Sequence, residues 1–268
     1  MSRQEAIQQF RQALKAGQKC YRDCVHRGRY PYPQVLEERL RGCAVAGRVD
    51  LGVLDIPIAQ IIGTNTAGRQ AAFAANFMPL LDEDTEFAQK WNALCDAHLS
   101  VGIRDPIKAY EYMNKFYVEE GNKRVSVMKY YEAMSIPGSV TRIVPRRSED
   151  KENKIYYEFL DFYDLTGVNY LWFSQLGRFR AMDQAVNSRP GQPWSKEDRR
   201  DFQTAYYNFE DAFHRCGGAR QRYGMSVPSR KERRGRSRDT PCLLLVRGHH
   251  MRGYISIERS LCTAEAGL

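Results

Sequence analysis

The sequence predicts an α+β protein: a small mixed-sheet domain set between a helical N-terminal prefix and a helical C-terminal accessory region. Three observations lead there. Apolar residues at helical spacing open the chain (Ala6, Phe10, Leu14, Tyr21). Short β-rich runs then alternate with helical ones from about Arg48 to Pro145. Aromatic helical texture follows from Ile155 to Phe213. At 268 residues and 43% apolar content, the chain is long enough for one full core and a smaller second one.

The prefix, residues 1–47, reads as a helix from Ser2 to about Val25, broken by Tyr30-Pro31-Tyr32-Pro33. A second helix is expected from Pro33 through Val35, Leu36 and Leu40 to Gly47. In the central domain, residues 48–147, the β-rich stretch from Val49 to Ile62 is interrupted by Pro57 and leads into a polar, glycine-flanked loop, Gly63 to Arg69. Gln70 to Leu81 and Asp84 to Leu99 read as helices, the second with Phe87, Trp91, Leu94, Cys95 and Leu99 on its apolar side and Gly102 at its end. Asp105 to Tyr112 and Lys115 to Gly121 have the texture of two strands joined by a tight turn at Asn114. A helix starting at Asn122 to Arg124 turns Val125, Val127, Met128 and Tyr131 inward, and Ile136 to Pro145 is a further strand.

Residues 148–215 form the accessory region. Its last helix starts at Ser195, with Asp198 three residues on as a capping pair, and carries Phe202, Tyr206, Phe209 and Phe213 toward a core. Tyr170 to Phe173 and Trp194 are the natural occupants of that core, although the same residues could form a base-stacking face. Residues 216–268 are an Arg-rich tail, expected to be disordered or out of frame.

Charge placement qualifies the net +9. The tail holds ten Arg and one Lys against four acidic residues, so the body is nearly neutral and its pI says little about a partner. Seven scattered cysteines without a CxxC pair read as reduced thiols, and the histidines have neither metal-ligand nor triad spacing. No apolar run is long enough to cross a membrane and the start lacks a signal-peptide core, so the chain reads as cytoplasmic.

Gly121-Asn122-Lys123-Arg124 is the stretch that carries chemistry. A strand that ends in glycine and turns directly into a helix leaves free N–H groups pointing outward, where the helix dipole adds about half a positive charge. Two cations in the first turn disfavour the helix itself and suit a bound anion. The alternative is that both point to solvent.

The order of Leu99, Gly102, Pro106-Ile107, Tyr117-Val118, Gly121 to Arg124 and Ile136-Pro137 resembles the ParB/sulfiredoxin superfamily, with Ile56-Pro57 through Arg69 in the place of its first box. That resemblance, over about Val49 to Pro145, implies that Gly121, Asn122, Lys123 and Arg124 grip phosphate oxygens, that Arg69 is a second clamp, and that Thr64 and Thr66 supply hydroxyls. It implies a nucleoside triphosphate, CTP or ATP, as ligand, with magnesium dependence, hydrolysis, DNA association and a homodimer left open. Asn122 stands where sulfiredoxins have cysteine and ParB proteins have glutamate, so sulfinic-acid reduction is not expected. The prefix around Gly17 to Tyr21 and the aromatic segment Tyr156 to Tyr163 are similar to ParB-like chains that continue into a basic-membrane-protein-type substrate-binding domain. A nucleotide-responsive module is therefore expected, with a nucleic-acid-binding or nuclease protein and a structural domain with a decayed pocket as alternatives.

Overall fold

The computed structural model describes residues 3–187, 189–215, 243–247 and 252–256. They divide into two compact units, the first ending at Arg146.

In the first unit, the amphipathic helix α1 (Arg3–His26) buries Ala6, Phe10, Ala13, Cys20 and Cys24, while Leu14 and Tyr21 are only half-buried. The stripe includes Gly17, whose missing side chain lets α1 lie against backbone: a Cβ there would stand 2.1 Å from the Pro79 carbonyl oxygen. Instead of a helix from Pro33 to Gly47, the chain forms a two-residue strand, β1 (Gln34–Val35), and a single turn, α2 (Leu36–Arg39). It then enters β2 (Val45–Pro57). Parallel pairing of Val35 with Thr64 holds this segment extended, a non-local contact that local periodicity does not report.

A short 3-10 helix, Ile58–Gln60, joins β2 to β3 (Ile61–Thr64). The expected loop and helix over residues 63–81 are replaced by strand residues Gly63 and Thr64, a 3-10 helix from Ala67 to Ala72, and a non-helical loop. Backbone bonds from Ala74 to Met78 (2.9 Å) and from Leu80 to Ala72 (3.0 Å) close that loop, with Phe77 at φ 64°. Pro79 is the residue that forbids a helix there.

Helix α3 (Glu86–Ser100) begins where the Thr85 hydroxyl accepts the Ala88 N–H. It ends ahead of Gly102 at φ 78°. Strands β4 (Ile107–Tyr112) and β5 (Lys115–Glu120) are joined through Met113 and Asn114, both with positive φ (54° and 56°), the conformation a two-residue hairpin requires. Helix α4 (Asn122–Tyr130) follows β5 after one residue, and β6 (Ser135–Pro145) completes the unit.

The sheet order is β1-β3-β5-β4-β6-β2. Strands β1, β3 and β5 run parallel, so their carboxyl ends share one edge. Ile56, Ile107, Ala109, Phe116, Val118 and Val140 on one face pack with Val125 and Met128 of α4. Phe10 of α1 and Trp91 of α3 pack with Val127 behind it, and Trp91 donates its indole N–H to Ser126 at 2.9 Å. Ser126 is therefore committed to packing. Leu36, Tyr112, Tyr117 and Ile143 form a smaller cluster.

Burial pushes the Lys129 amine of α4 down to about 8, and its Nζ lies 5.2 Å from the centre of the Phe77 ring. The fold thus disfavours the ammonium form: its cost is fully present below pH 8 and relieved as pH rises through 8 toward the unfolded value near 10.5. Lys129→Met is expected to be more stable than the parent at pH 7 by about 1 to 3 kcal/mol, with the difference closing near pH 10, as read from urea unfolding across that range.

The second unit contains α5 (Lys151–Thr166), α6 (Arg178–Val186) and α7 (Lys196–Arg215). Helix α5 starts inside the charged stretch Arg146 to Lys154, whose composition alone suggests a linker. Leu171, Phe173, Phe179, Trp194 and Phe202 are buried, so Phe173 and Trp194 belong to the core, while Tyr170 and Trp172 are half-buried. Ser195 and Asp198 cap α7 reciprocally. Buried Asp183 accepts from the Trp194 indole, the Asn187 amide and the Gly191 N–H, fixing the turn before α7. Two further strands, β7 (Leu243–Arg247) and β8 (Arg252–Ser256), pair antiparallel. The remaining tail expectations, including His249 and His250, lie outside the described residues.

Candidate functional site at the start of helix α4

Gly121 makes the junction between β5 and α4 at φ 106° and ψ 19°, a left-handed conformation open to glycine. Ile107 presses on the same point, since a Cβ at Gly121 would stand 2.6 Å from Ile107 Cγ2. The first bond of the helix runs from the Val125 N–H to the Gly121 carbonyl at 3.0 Å. The N–H groups of Asn122, Lys123 and Arg124 therefore precede the helical ladder, at the positive end of the macrodipole.

Asn122 is 8% exposed, and its side-chain oxygen is sealed from solvent without a hydrogen-bond partner. A buried amide atom left unpaired costs about 1 to 3 kcal/mol, which a ligand group can recover. The two ends of an amide are interchangeable by rotation, so the sealed position serves a donor NH2 facing an oxyanion as well as an acceptor.

Lys123 is half-buried with its Nζ 5.0 Å from the centre of the Phe87 ring. Burial first, then the positive charges of Arg69 and Lys90, hold its amine below the usual lysine range, against a smaller opposing pull from Glu86. Arg69, on the exposed 3-10 helix after β3, is thus brought to Lys123, and the two repel in the absence of an anion. Among the described residues no carboxylate pairs with Arg69.

Arg124 takes a different part. Its Nη1 donates to the carbonyls of Asp105 and Pro106, each at 2.8 Å, and Nη2 lies 4.0 Å from Glu120. It ties the approach to β4 onto α4, which leaves fewer donors for a ligand. Thr64 is buried and donates its hydroxyl proton to the Thr66 carbonyl at 2.9 Å, shaping the turn after β3. Thr66 is exposed beside it. Because Thr64 pairs with Val118 in the parallel β3–β5 ladder, this turn and Gly121 occupy the same edge of the sheet. Sequence reasoning missed the Phe87 platform and the Asp105 and Pro106 carbonyls, which arrive from other elements and leave no local signal.

These features define an α+β protein with a glycine-led helix start at the carboxyl ends of parallel strands, the general setting of an anion-binding turn. No family model and no curated protein matches the chain. Among solved structures it is similar to sulfiredoxin from Arabidopsis thaliana, with 17% identity over 33% of this chain and 82% of that one and a TM-score of 0.23. At that score the likeness carries no functional argument. Cys95 of α3 is fully buried, and that burial pushes its thiol up to about 12. Among the described residues, no helix is long and apolar enough to cross a membrane, and no group of three or more His, Cys, Asp or Glu residues could hold a metal ion.

Proposed function

We propose that this chain binds a phosphorylated ligand, a nucleoside triphosphate by preference, at the start of α4. The observation that carries the reading is the buried, unpaired side chain of Asn122 at a helix start where Gly121 adopts φ 106°. Lys123 and Arg69 support it: two cations held near each other, with Lys123 depressed by burial and by its positive neighbours, are relieved by an oxyanion. Gly121, Asn122 and Lys123 surround the phosphate, Arg69 closes over it, Arg124 braces the floor, and the Thr64–Thr66 turn forms one wall.

The test is calorimetric titration of the full chain with each nucleoside triphosphate and with inorganic triphosphate, with and without magnesium. Arg69→Ala and Lys123→Ala are each expected to weaken binding by about 10- to 100-fold, corresponding to ~1.5 to 3 kcal/mol for a charged hydrogen bond. Affinity should also fall as pH is raised through the depressed Lys123 value, because the ligand selects the ammonium form. Absence of saturable binding, or affinity unchanged in both variants, overturns the reading.

A further inference from the structure

Strand β2 is the longest of the sheet and lies at its edge, paired only with β6 among the described residues. No described strand pairs with its outer side. Val45, Val49 and Val53 are 39%, 48% and 66% exposed, a placement that long edge strands of single-chain proteins usually avoid. Between Gly47 and Asp50 the strand is regular against Val144 to Thr141, with register shifts on either side, so one flat stretch of unpaired backbone is presented. Arg48 and Asp50 flank Val49 on that stretch. Both are exposed, and neither belongs to an ion pair among the described residues; Asp50 accepts only the local Gly52 N–H at 2.9 Å.

Charge order selects the occupant. In an antiparallel pair, residues facing each other across the ladder share one face of the sheet. If a second β2 lies antiparallel with the two-fold axis at Val49, Arg48 of each copy faces Asp50 of the other. Val49 then meets its own equivalent, and two opposite-charge cross-strand pairs form. A parallel second copy in the same register would set Arg48 against Arg48 and Asp50 against Asp50, which repel.

We infer that the chain forms a two-fold dimer by antiparallel pairing of β2 edges centred on Val49, joining two six-stranded sheets into one. The interface is isologous and closes on itself, so it stops at two copies. It is independent of the anion site, which sits at the carboxyl ends of β3 and β5.

The test is the molar mass of the full chain in solution, by light scattering and sedimentation, for the parent, Arg48→Asp, Asp50→Arg and the double reversal. The parent is expected to be a dimer. Each single reversal sets like charges opposite each other at both positions and should be monomeric. The double reversal restores both pairs and should be dimeric. An equimolar mixture of the two single variants should also give dimers, since the two carboxylates of the R48D chain then face the two guanidinium groups of the D50R chain. Circular dichroism of each single variant shows that it remains folded, and the mixture reports the interface without any refolding step. A monomeric parent, a dimer indifferent to either single reversal, or failure of both the double variant and the mixture to dimerise overturns the inference.

Discussion

Replacing Arg142 by Ala is expected to be among the most damaging single changes in the first unit, lowering its stability by about 3 to 5 kcal/mol. Arg142 on β6 and Glu111 on β4 stand opposite each other in the parallel ladder and form an ion pair through Nε and Oε2, at 5% and 1% exposure. Glu111 also accepts the Asn114 N–H at 2.7 Å, so its carboxylate fixes the β4–β5 turn as well. Removing the guanidinium leaves a carboxylate deep in the sheet without its principal counter-charge. That loss, rather than the intrinsic worth of the pair, sets the magnitude, because two buried charges give back much of their attraction in desolvation. The control is the double variant Glu111→Gln with Arg142→Met, which should recover most of the loss in urea unfolding. By contrast, Arg11→Ala, which breaks an exposed pair with Glu83, should barely move the midpoint. If Arg142→Ala and Arg11→Ala unfold together, the pair is not the support described.

The Glu111–Arg142 pair illustrates what the sequence could and could not convey. The hairpin itself was legible, because Asn114 between two β-rich runs is local turn chemistry. So were the glycine before α4, the strand ending at Pro145, and the cap at Ser195. Each is specified by residues within one or two turns of chain. What escaped was non-local. The segment after Pro33 reads as helix until β3 is there to hold Gln34 and Val35 extended. Residues 70–81 carry helix-compatible alanines, but Gly17 of α1 lies against the Pro79 backbone and proline is itself incompatible with a helix interior. At the candidate site, the sequence indicated which residues gather at the helix start but not how they divide the work. Arg124 looks like Arg69 on paper. Only the carbonyls of Asp105 and Pro106, nineteen and eighteen residues upstream, show that much of its hydrogen bonding is committed to structure.

Gly121→Ala is expected to cost about 2 to 4 kcal/mol, combining the strain of a left-handed non-glycine residue with overpacking against a fixed neighbour. The first contribution follows from φ 106°, and the second from Ile107, whose Cγ2 would stand 2.6 Å from the new methyl group. These can be separated. In an Ile107→Ala background the contact at 2.6 Å is removed, leaving the Cβ of residue 107 at 3.1 Å, and the backbone strain remains, so Gly121→Ala should cost less there than in the parent. A smaller increment in that background assigns the difference to packing; equal increments refute a contribution from Ile107. The same substitution also probes function. If the chain escapes strain by turning Gly121 out of the left-handed region, the N–H groups of Asn122, Lys123 and Arg124 no longer converge, and ligand affinity should fall even at temperatures where the variant is fully folded. Arg142→Ala predicts the opposite pattern: it lowers the unfolding midpoint but leaves affinity intact in the folded fraction, because Glu111 and Arg142 lie on β4 and β6, away from the edge where β3 and β5 end. Stability lost with affinity in one variant and without it in the other would separate the support of the sheet from the support of the site.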